Sequence, residues 1–483
     1  MTGRLLGMWT FASLLLHSAL TAAQPAPRAP AIELPLTLEA CIAVALERNV
    51  PLAAASLESA AVEKEAGAAL GTWLPEFGLA AVRTNAHGDS DGLGSPEQGT
   101  FVETTVNEVA ARLTQRLPLG GSLQLLYDLA QTGEEYRGGH AAGFLITQPL
   151  LRDAGWRRAT ADVSDARLAA AGEEATLRAQ LLDVVFKVKS SYYQVLRRAK
   201  LIEVNQQAIA RDQQLLDFSQ AKVEAKLATR RDVLSAEIIL AQDRSRLVNS
   251  ETEHAAALDA LADVLGLPLE DSLAVVAIEL GLDPIADEQP RWVEKALRDN
   301  PDLLRARIDL ERDELAKNVA GNSRLPRLDL KVAYDDARDA IPQGATTLDA
   351  RRGARTWQGA IEVAMPILNK PLGDNYRAAQ LRHERGQKLR QEAERQTVLE
   401  VRDTARNLRR IEERIEVLTK EIQGARDKVE FANVNFQLGR ASNLDITDAQ
   451  EDLVNAESDF VDEVVSYRVE LARLEQLLGG SLE

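Results

Sequence analysis

The stretch ALERNVPL at residues 45–52 returns as ALRDNPDL at residues 296–303, with Ala, Leu, Asn and Leu at the same four places. The offset is 296 − 45 = 251 residues, and Leu74-Pro75 matches Leu325-Pro326 at the same offset. A long internal repeat fixes the unit of architecture, so it takes precedence over any assignment of separate domains. The sequence therefore predicts one object made of two similar halves.

A second set of matches joins the other ends of the two copies. TRRDVLSA at 229–236 returns as SNLDITDA at 442–449, now at an offset of 442 − 229 = 213 residues, and Leu265-Gly266 returns as Leu478-Gly479. Because the offset changes inside the copies, each copy has a middle of variable length between two similar ends. The predicted copies are residues 36–270 and 290–483, joined by a linker at 271–289.

The N-terminus predicts export. Arg4 precedes an apolar run from Leu5 to Leu20 and the small residues Thr21-Ala22-Ala23, which is typical of a secretory signal peptide at residues 1–23. This interpretation is favoured over an N-terminal anchor helix because the apolar run is short. Residues 24–35 carry four prolines and are predicted to be an extended leader. Cys41, the only cysteine, lies beyond both segments, so neither lipid attachment near a cleavage site nor an internal disulfide is expected.

Charge and hydropathy exclude some classes of protein. The net charge of −17 argues against a nucleic-acid partner, because binding phosphates requires a basic face. An acidic chain is compatible with an ordinary solvated surface or with a pore that attracts cations. Beyond the signal, no segment approaches 18 consecutive apolar residues, so no transmembrane helix is predicted.

Each copy is predicted to contain a very long helix. Residues 156–226 contain no proline and one glycine, and a seam of residues spaced three and four apart, typical of a coiled coil, runs through them. Polar and apolar residues alternate along this seam, which favours a helix with neighbours on two sides over a dimeric coiled coil. About 70 residues would form a helix of roughly 105 Å, about as long as two shorter helices placed end to end. The predicted helices are, in the first copy, about 37–71, 156–226 and 230–265, and in the second, about 291–321, 375–438 and 443–479.

The middle of each copy is predicted to form β-strands. In residues 328–335, Leu, Leu, Val and Tyr alternate with Asp, Lys and Asp, a period of two that is typical of membrane β-strands and of half-buried soluble hairpins. A lone hairpin between such long helices has no core to cover, which favours the membrane. The predicted strands are about 77–86, 107–117, 122–131, 142–149, 327–336 and 356–366. Because one chain has too few strands to close a barrel that encloses anything, several copies are required.

The chain resembles the TolC-like outer-membrane efflux family. The resemblance covers most of the mature chain and rests on the order, spacing and duplication of individually weak motifs. These are Leu38-Glu39-Ala40 with Ala45-Leu46 and Asn49, Leu74-Pro75, Thr147-Gln148-Pro149-Leu150-Leu151, the segment 232–237, Leu265-Gly266-Leu267-Pro268, Pro326, Pro366, Leu444-Asp445 and Leu478-Gly479.

The resemblance implies a mainly α fold with membrane β-structure: a homotrimer whose 12-stranded outer-membrane barrel, four strands per chain, continues into a long α-helical, coiled-coil-like barrel in the periplasm. It implies three contacts beyond the trimer: outer-membrane lipid, a periplasmic adaptor (membrane fusion) protein, and an inner-membrane efflux or secretion pump. The location implied is the outer membrane of a Gram-negative bacterium. The extra strand pair at 107–131 departs from this pattern, and six strands per chain would give 18 in a trimer.

The resemblance also implies a periplasmic entrance at the turns between each long helix and the helix that follows it. Asp445 and Asp448 match the acidic constriction rings of the family, and three symmetry-related carboxylates at a narrow opening would favour cations. Asp232 is the equivalent of Asp445 in the first copy. Thr229-x-x-Asp232 and Ser442-x-x-Asp445 also have the form of a helix N-terminal cap, so both interpretations stay open for these two residues.

Basic and aromatic residues beside the same turns are candidates for holding the entrance shut or for contacting the adaptor. Arg230 and Arg231 could pair with Asp445 or Asp448 of a neighbouring hairpin. The basic partner of the family falls at Ala441 in this chain. The remaining candidates in the second turn are Phe436, Gly439 and Arg440.

The function expected is an exit duct of a multi-component efflux or secretion system. The alternative is a secreted or periplasmic helical scaffold with soluble β-hairpins. An enzyme is not expected, because the four histidines beyond the signal show no metal-ligand spacing and no phosphate-binding loop is present. No cofactor or metal is predicted. The sequence does not identify the cargo, the pump or the adaptor, nor whether the entrance is open or closed.

Overall fold

The computed structural model describes residues 35–89, 101–132, 137–226, 229–268, 273–276, 281, 288–338, 354–367, 369–438 and 440–481. The predicted signal peptide at 1–23 lies outside the described residues, as does the predicted leader except for Pro35 and the predicted linker except for 273–276, 281, 288 and 289.

The first copy contains five helices and four strands among its described residues. Its helices are α1 (Leu38–Arg48), α2 (Val50–Ala69), α3 (Trp156–Ala159), α4 (Ala161–Glu224) and α5 (Arg230–Leu265), with a single 3₁₀ turn at Leu70–Trp73. Its strands are β1 (Glu76–Asp89), β2 (Phe101–Arg116), β3 (Ser122–Thr132) and β4 (Arg137–Pro149).

The second copy has the same order with one strand pair fewer. It consists of α6 (Gln289–Asp299), α7 (Pro301–Asn322), β5 (Arg327–Arg338), β6 (Ala354–Ala364), α8 (Lys370–Gln437) and α9 (Asn443–Leu477). The duplicated, mainly helical fold with a β-sheet confirms the fold class expected from the sequence.

Where the sequence predicted one helix at the start of each copy, the structure has two. The break falls at Asn49 between α1 and α2, where the axis bends by 51°, and at Asn300 between α6 and α7. Both asparagines have extended backbone conformations and cap the next helix, and Pro51 and Pro301 follow within two residues. A proline at the first turn cannot donate to the preceding turn, so the helix ends before it. The helical periodicity continues across the break, which is why the pattern concealed it.

The repeated asparagines also tie the two ends of each copy together. Asn49 Nδ2 donates to the carbonyl oxygen of Val264 at 2.9 Å, and Asn300 Nδ2 donates to that of Leu477 at 3.1 Å. Each asparagine therefore satisfies a carbonyl at the end of α5 or α9 while its own oxygen caps α2 or α7. This double role explains why the same residue stands at the same place in both copies.

The six strands form one antiparallel sheet in the order β1-β2-β3-β4-β5-β6. The first copy joins the second through β4 and β5, which pair from His140 opposite Arg338 to Pro149 opposite Asp329. The strands β1 and β6 are the two edges of the sheet.

The two faces of the sheet differ in chemistry and exposure. One face is apolar and open to the surroundings: Ile361 is 69% exposed and Phe77 is 68% exposed. The opposite face carries mainly charged and small residues, several of which are covered in the middle of the sheet, with Asp329 at 3% and Ala141 at 1%. Covered polar groups and exposed apolar ones invert the pattern of a water-soluble sheet and match a wall with lipid outside. The alternation predicted for residues 328–335 is confirmed.

The helices form a layer that extends from one end of the sheet. Near the sheet they lie side by side in the order α2-α4-α7-α8; farther away the order is α5-α4-α9-α8. Each copy has its own core, one around Tyr192 and one around Tyr467, while polar pairs such as Arg197 with Asp462 join α4 to α9. In the described part of the chain, no single helix is both long and apolar enough to cross a membrane. The bent pair of α1 and α2 taken together has the necessary length and composition.

The predicted coiled-coil seam of α4 is buried at some of its positions only, in the middle of the helix and at Leu216 near its end. Tyr192 and Val195 are buried as expected, but farther along the buried positions are Val204, Ala208 and Asp212, and Gln206 is exposed. A straight helix has 3.6 residues per turn and drifts away from a strict 3.5-residue seam. Because α4 packs against α5 on one side and α9 on the other, its buried stripe follows the neighbours rather than the heptad.

Candidate functional site

The hairpin tips lie at the far end of the helical layer; their described residues are 225, 226 and 229 in the first tip and 438 and 440–442 in the second. α4 has 64 residues between the sheet and the first tip, and α8 has 68 before the second. At 1.5 Å per residue these helices hold the tips roughly 100 Å from the sheet. Residues 227, 228 and 439 are not among those described, so the predicted tip residue Gly439 lies outside the described residues.

Asp232 and Asp445 lie in the first turn of α5 and of α9, each bonded to the capping residue before its helix. Asp232 Oδ2 accepts from the Thr229 N–H at 2.9 Å and from the Thr229 hydroxyl at 2.8 Å. Asp445 Oδ2 accepts from the Ser442 N–H at 2.7 Å and from the Ser442 hydroxyl at 2.8 Å. These backbone bonds, followed by the hydroxyl bonds, lower the pKa of both carboxyls below the usual 3.8. The two carboxylates are therefore firmly ionised at the tips and cap their helices in the way the motif predicted.

Asp448 differs from the two capping aspartates. It is exposed one turn into α9, and in the described part of the chain it has no hydrogen bond or ion pair. Its equivalent in the first copy is Ser235, so the charge belongs to the second copy alone. The charge of Asp448 acts on Lys428, whose pKa is raised first by its hydrogen bond to Asp452 and last by the charge of Asp448.

The basic candidates at the tips are exposed. Within the described residues, Arg230, Arg231 and Arg440 form no ion pair with Asp445 or Asp448 of the same chain. Arg230 and Arg231 are therefore accessible at the surface of the first tip, and their pairing with Asp445 or Asp448 of a neighbouring hairpin stays a prediction.

A contact that the sequence did not predict joins the two tips within the chain. Phe436, near the end of α8, is buried against Phe218 of α4, with ring centroids 5.3 Å apart. Lys222 Nζ lies 3.7 Å from the centroid of the Phe436 ring and donates to the Phe436 carbonyl oxygen at 2.5 Å. The ammonium thus covers an aromatic face and satisfies a carbonyl at the end of a helix. One signal in the sequence could have indicated this contact. The chain has only nine phenylalanines, and Phe218 and Phe436 each lie near the end of a long helix.

Asn443 makes a second connection between the tips. Its Nδ2 donates to the Ser219 hydroxyl and to the Asp232 carbonyl oxygen, both at 2.9 Å. One buried side chain therefore joins the start of α9 to the end of α4 and the first turn of α5. The equivalent position in the first copy is Arg230, so the first copy has no asparagine there to make the reciprocal contact with the second hairpin.

An apolar cluster above these contacts packs the two hairpins against each other. Its buried members come from both copies: Leu215, Leu216, Ala236, Leu240, Ala425, Val429, Ala432, Phe436, Ile446, Ala449 and Leu453. A core shared by four helices near their ends makes the two tips one structural unit in each chain.

A buried pair of carboxyls breaks this apolar packing in the first hairpin. Asp212 of α4 is 3% exposed and faces Asp243 of α5, which also pairs with Arg246 at 2.9 Å. Burial, followed by the hydrogen bond and charge of Asp243, raises the pKa of Asp212 to about 7. The equivalent residues of the second hairpin are Ala425 and Ala456, both buried.

These features define a class of protein. A sheet with an apolar exposed face and a covered polar face continues into a long layer of helices whose far end carries carboxylates, and this is the architecture of an outer-membrane channel with a helical extension. Among the described residues, no group of three or more His, Cys, Asp or Glu is placed to hold a metal ion.

Comparison with known families gives the identification. Residues 41–267 and 292–480 match the family described as outer membrane efflux protein, and the chain belongs to this family. The two matched segments correspond to the two copies found in the sequence. Members of the family are channels rather than enzymes, and their location is the outer membrane of Gram-negative bacteria.

Solved structures with the same fold include outer-membrane channels. The chain is similar to the outer-membrane channel OprN, with a TM-score of 0.70, 15% identity, and coverage of 92% of this chain and 90% of that one. It is similar to the outer membrane protein VceC of Vibrio cholerae, with a TM-score of 0.69, 16% identity, and coverage of 92% of this chain and 97% of that one. It is also similar to the open state of the MtrE channel of Neisseria gonorrhoeae, with a TM-score of 0.64, 18% identity, and coverage of 92% of this chain and 89% of that one. No curated protein matches the chain.

Proposed function

We propose that three copies of this chain form the exit duct of a multi-component efflux or secretion system. In this proposal the sheets join in the outer membrane, the helical layers join into a tunnel, and the hairpin tips form the entrance. A periplasmic adaptor protein and an inner-membrane pump deliver the cargo to that entrance. One observation carries the proposal. The sheet and the helical layer each have two free sides, meaning an outermost strand or helix with no neighbour in the described chain, and a second copy could pack against each of them.

The first pair of free sides belongs to the sheet. β1 and β6 are edge strands of 14 and 11 residues, each with a row of backbone groups not used within the described sheet. A long exposed edge strand pairs readily with another chain, and in lipid an unpaired edge is not tolerated. Pairing β6 of one copy with β1 of the next supports closure of the sheet.

The second pair of free sides belongs to the helices. α5 and α8 lie at opposite ends of the layer, and each has an apolar face that the chain does not cover. On α5 the exposed residues Leu234, Ile238 and Val248 fall on one stripe with heptad spacing; on α8, Phe431 is 71% exposed. The other exposed apolar residues on that side of α8 are Val417, Val434 and Leu438. α5 runs towards the sheet and α8 away from it, so a second copy would continue the antiparallel alternation of the layer.

The entrance follows from the same threefold arrangement. Asp445 and Asp448 of each chain would contribute six carboxylates around the opening, and the capping bonds of Asp445 hold its charge at all moderate pH values. Asp232 adds a third carboxylate per chain near the other tip. A narrow opening lined by fixed negative charge favours cations over anions. Arg230, Arg231 and Arg440 are positioned at the surface of the tips for contact with a neighbouring chain or with the adaptor.

Oligomeric state and channel activity test the proposal together. The purified protein in detergent should have the mass of a trimer and should form ion channels in planar bilayers. Ile238→Lys places a charge on the free face of α5 and should shift the protein to the monomer. Glu237→Lys, the matched control at the adjacent exposed position, should stay trimeric. A monomer that leaves bilayers unchanged would instead fit the alternative of a helical scaffold.

A further inference from the structure

We infer that the barrel formed by three copies of this chain has eighteen strands, because the hairpin of β2 and β3 is part of the barrel wall. The inference rests on the proposed trimer and deepens it. The twelve strands implied by the family resemblance would come from four strands per chain. Six strands per chain instead make a wider exit of the class that leaves an open aqueous channel.

The hydrogen-bond register makes the extra hairpin a full member of the sheet. β2 pairs with β1 from Glu76 opposite Thr114 to Asp89 opposite Phe101, along the whole of β1. β3 pairs with β4 from Ser122 opposite Thr147 to Thr132 opposite Arg137. The hairpin therefore separates β1 from β4 along their length, and no route remains for those two strands to pair directly.

The side chains of the hairpin alternate in phase with the rest of the sheet. Val109 and Leu113 on β2, and Leu125 and Leu129 on β3, lie on the apolar face together with Phe144 of β4. Their neighbours Glu108, Arg112, Gln124 and Asp128 lie on the polar face. A hairpin folded over the outside of the barrel, or into its lumen, would have no reason to keep an apolar face towards lipid in register with β4.

The turn of the hairpin is fixed at the junction between the sheet and the helices. Gly155 N–H and the Gln148 side chain both donate to the Leu119 carbonyl oxygen at 3.1 Å. Gly120 has φ +88°, and a Cβ there would lie 2.2 Å from the Asp153 carbonyl oxygen. The backbone of the turn is thus packed against the segment that follows β4. Because the turn is held at the junction between the sheet and the helices, β2 and β3 extend along the full height of the wall beside β4.

An inserted pair of strands keeps the sheet able to close. With six strands, β1 and β6 point in opposite directions at the two edges, so β6 of one copy meets β1 of the next in antiparallel orientation. An insertion of one strand would have made that junction parallel. The apolar face of β6, with Trp357, Ile361 and Val363, continues that of β1, with Phe77 and Leu79.

The size of an eighteen-stranded barrel agrees with that of the helical layer. Four helices per chain adjoin the sheet, namely α2, α4, α7 and α8. Twelve helices spaced about 9 Å apart give a circumference of about 110 Å. Eighteen strands spaced about 4.8 Å apart and tilted by about 40° also give about 110 Å. The wall therefore continues from strands to helices without a step, and the exit does not narrow the path of cargo that has passed the tips.

Site-directed spin labelling of the trimer in lipid vesicles tests the inference. Single cysteines replace Leu125 and Gln124 on the two faces of β3, and Ile361 and Gln358 on the two faces of β6 serve as the matched pair. Native Cys41 is buried, and the unmodified chain shows whether it takes up label. Oxygen, which partitions into lipid, and a water-soluble nickel chelate report what surrounds each nitroxide.

We expect the labels at 125 and 361 to be reached by oxygen and shielded from nickel, with the reverse at 124 and 358. If only the β6 pair behaves in this way and both β3 labels face water, the hairpin lies outside the wall and the eighteen-stranded barrel is wrong while the duct stands. If the label at 361 also faces water, the proposed membrane duct itself fails. Electron microscopy of the trimer gives an independent count, and twelve strands in the wall would overturn the inference.

Discussion

The ammonium of Lys222, close to the end of α4, lies 3.7 Å from the centre of the Phe436 ring, close to the end of α8. The two residues belong to different copies of the repeat, so the contact joins the two halves of the chain where they are farthest from the sheet. Together with the bonds of Asn443 to Ser219 and to the Asp232 carbonyl, it links the two hairpin tips directly within one chain. An entrance formed by three chains would then open by motion between chains.

Removing the Lys222 contact should loosen the tips. Lys222→Met keeps the aliphatic part but loses the cation–π contact and the bond to the Phe436 carbonyl, which together are worth about 1–2 kcal/mol. We expect a lower apparent melting temperature and longer openings of single channels in planar bilayers. Lys226→Met removes the same charge from an exposed tip residue and is the control. Equal behaviour of the two variants would mean that Lys222 contributes only its charge.

Asp448 should influence which ions pass while contributing little to stability. It has no partner in the described part of the chain, whereas Asp445 caps α9 through Ser442. We expect Asp448→Ala to raise the anion permeability of single channels without changing the melting temperature. Asp445→Ala should also raise anion permeability and in addition cost about 1 kcal/mol of cap stability. Unchanged selectivity and conductance in Asp448→Ala would remove that residue from the entrance.

The buried pair of Asp212 and Asp243 should make the first hairpin sensitive to pH. The pKa of Asp212 is raised from 3.8 to about 7, mainly by burial, so the folded protein holds a proton that the unfolded chain has released. The stability linked to this proton is complete below the unfolded pKa of 3.8 and is lost as the pH rises to the folded value of about 7. Near pH 8, the buried and ionised Asp212 carboxylate should weaken the contact between α4 and α5.

Asp212→Asn tests this linkage. The amide is uncharged at every pH, so the variant should gain melting temperature over the natural chain at pH 8 and gain clearly less at pH 5, where only part of the linked stability has been lost. Asp217→Asn changes an exposed residue of the same helix and should keep the original pH dependence. If Asp212→Asn loses stability equally at both pH values, the carboxyl acts by packing and not by titration.

The glycine that ends each copy should not tolerate a side chain. Gly479 has φ +75°, and a Cβ there would lie 2.4 Å from the Asp299 carbonyl oxygen; Gly266 has φ +70° and the same relation to Arg48 at 2.5 Å. Alanine at either place should cost about 1–3 kcal/mol through backbone strain and displacement of the end of α1 or α6 that the glycine contacts. Gly373→Ala, which meets no atom within 4 Å, should be neutral or slightly stabilising. Thermal melting in detergent ranks the three variants.

Local chemistry explains what could be predicted of the fold. The duplicated Asn and Leu-Gly motifs, the uninterrupted long helices and the alternation of the strands each depend on a few neighbouring residues, so they could be recognised in one sequence. The helix breaks at Asn49 and Asn300 were missed because the apolar periodicity continues across them. The neighbours of α4 on two sides, α5 and α9, agree with the alternation of polar and apolar residues along its seam, but the strict heptad was only partly right because a straight helix drifts from a 3.5-residue repeat.

The candidate site divides in the same way. The capping form of Asp232 and Asp445 could be read from their own motifs, and the structure shows the corresponding bonds. The contacts of Lys222 with Phe436 and of Asn443 with Ser219 join residues more than 200 positions apart. No local pattern marks such pairs, and they became visible only with both hairpins in place.

The sequence by itself determined the duplication, the succession of helices and strands, and the apolar and polar faces of the strands, because each follows from backbone periodicity within one segment. Only the tertiary structure decided that all six strands form one sheet and that the two tips share a core. Strand order and contacts between distant helices depend on which surfaces of the folded chain fit together, and this is a property of the whole assembly of segments and of none of them alone.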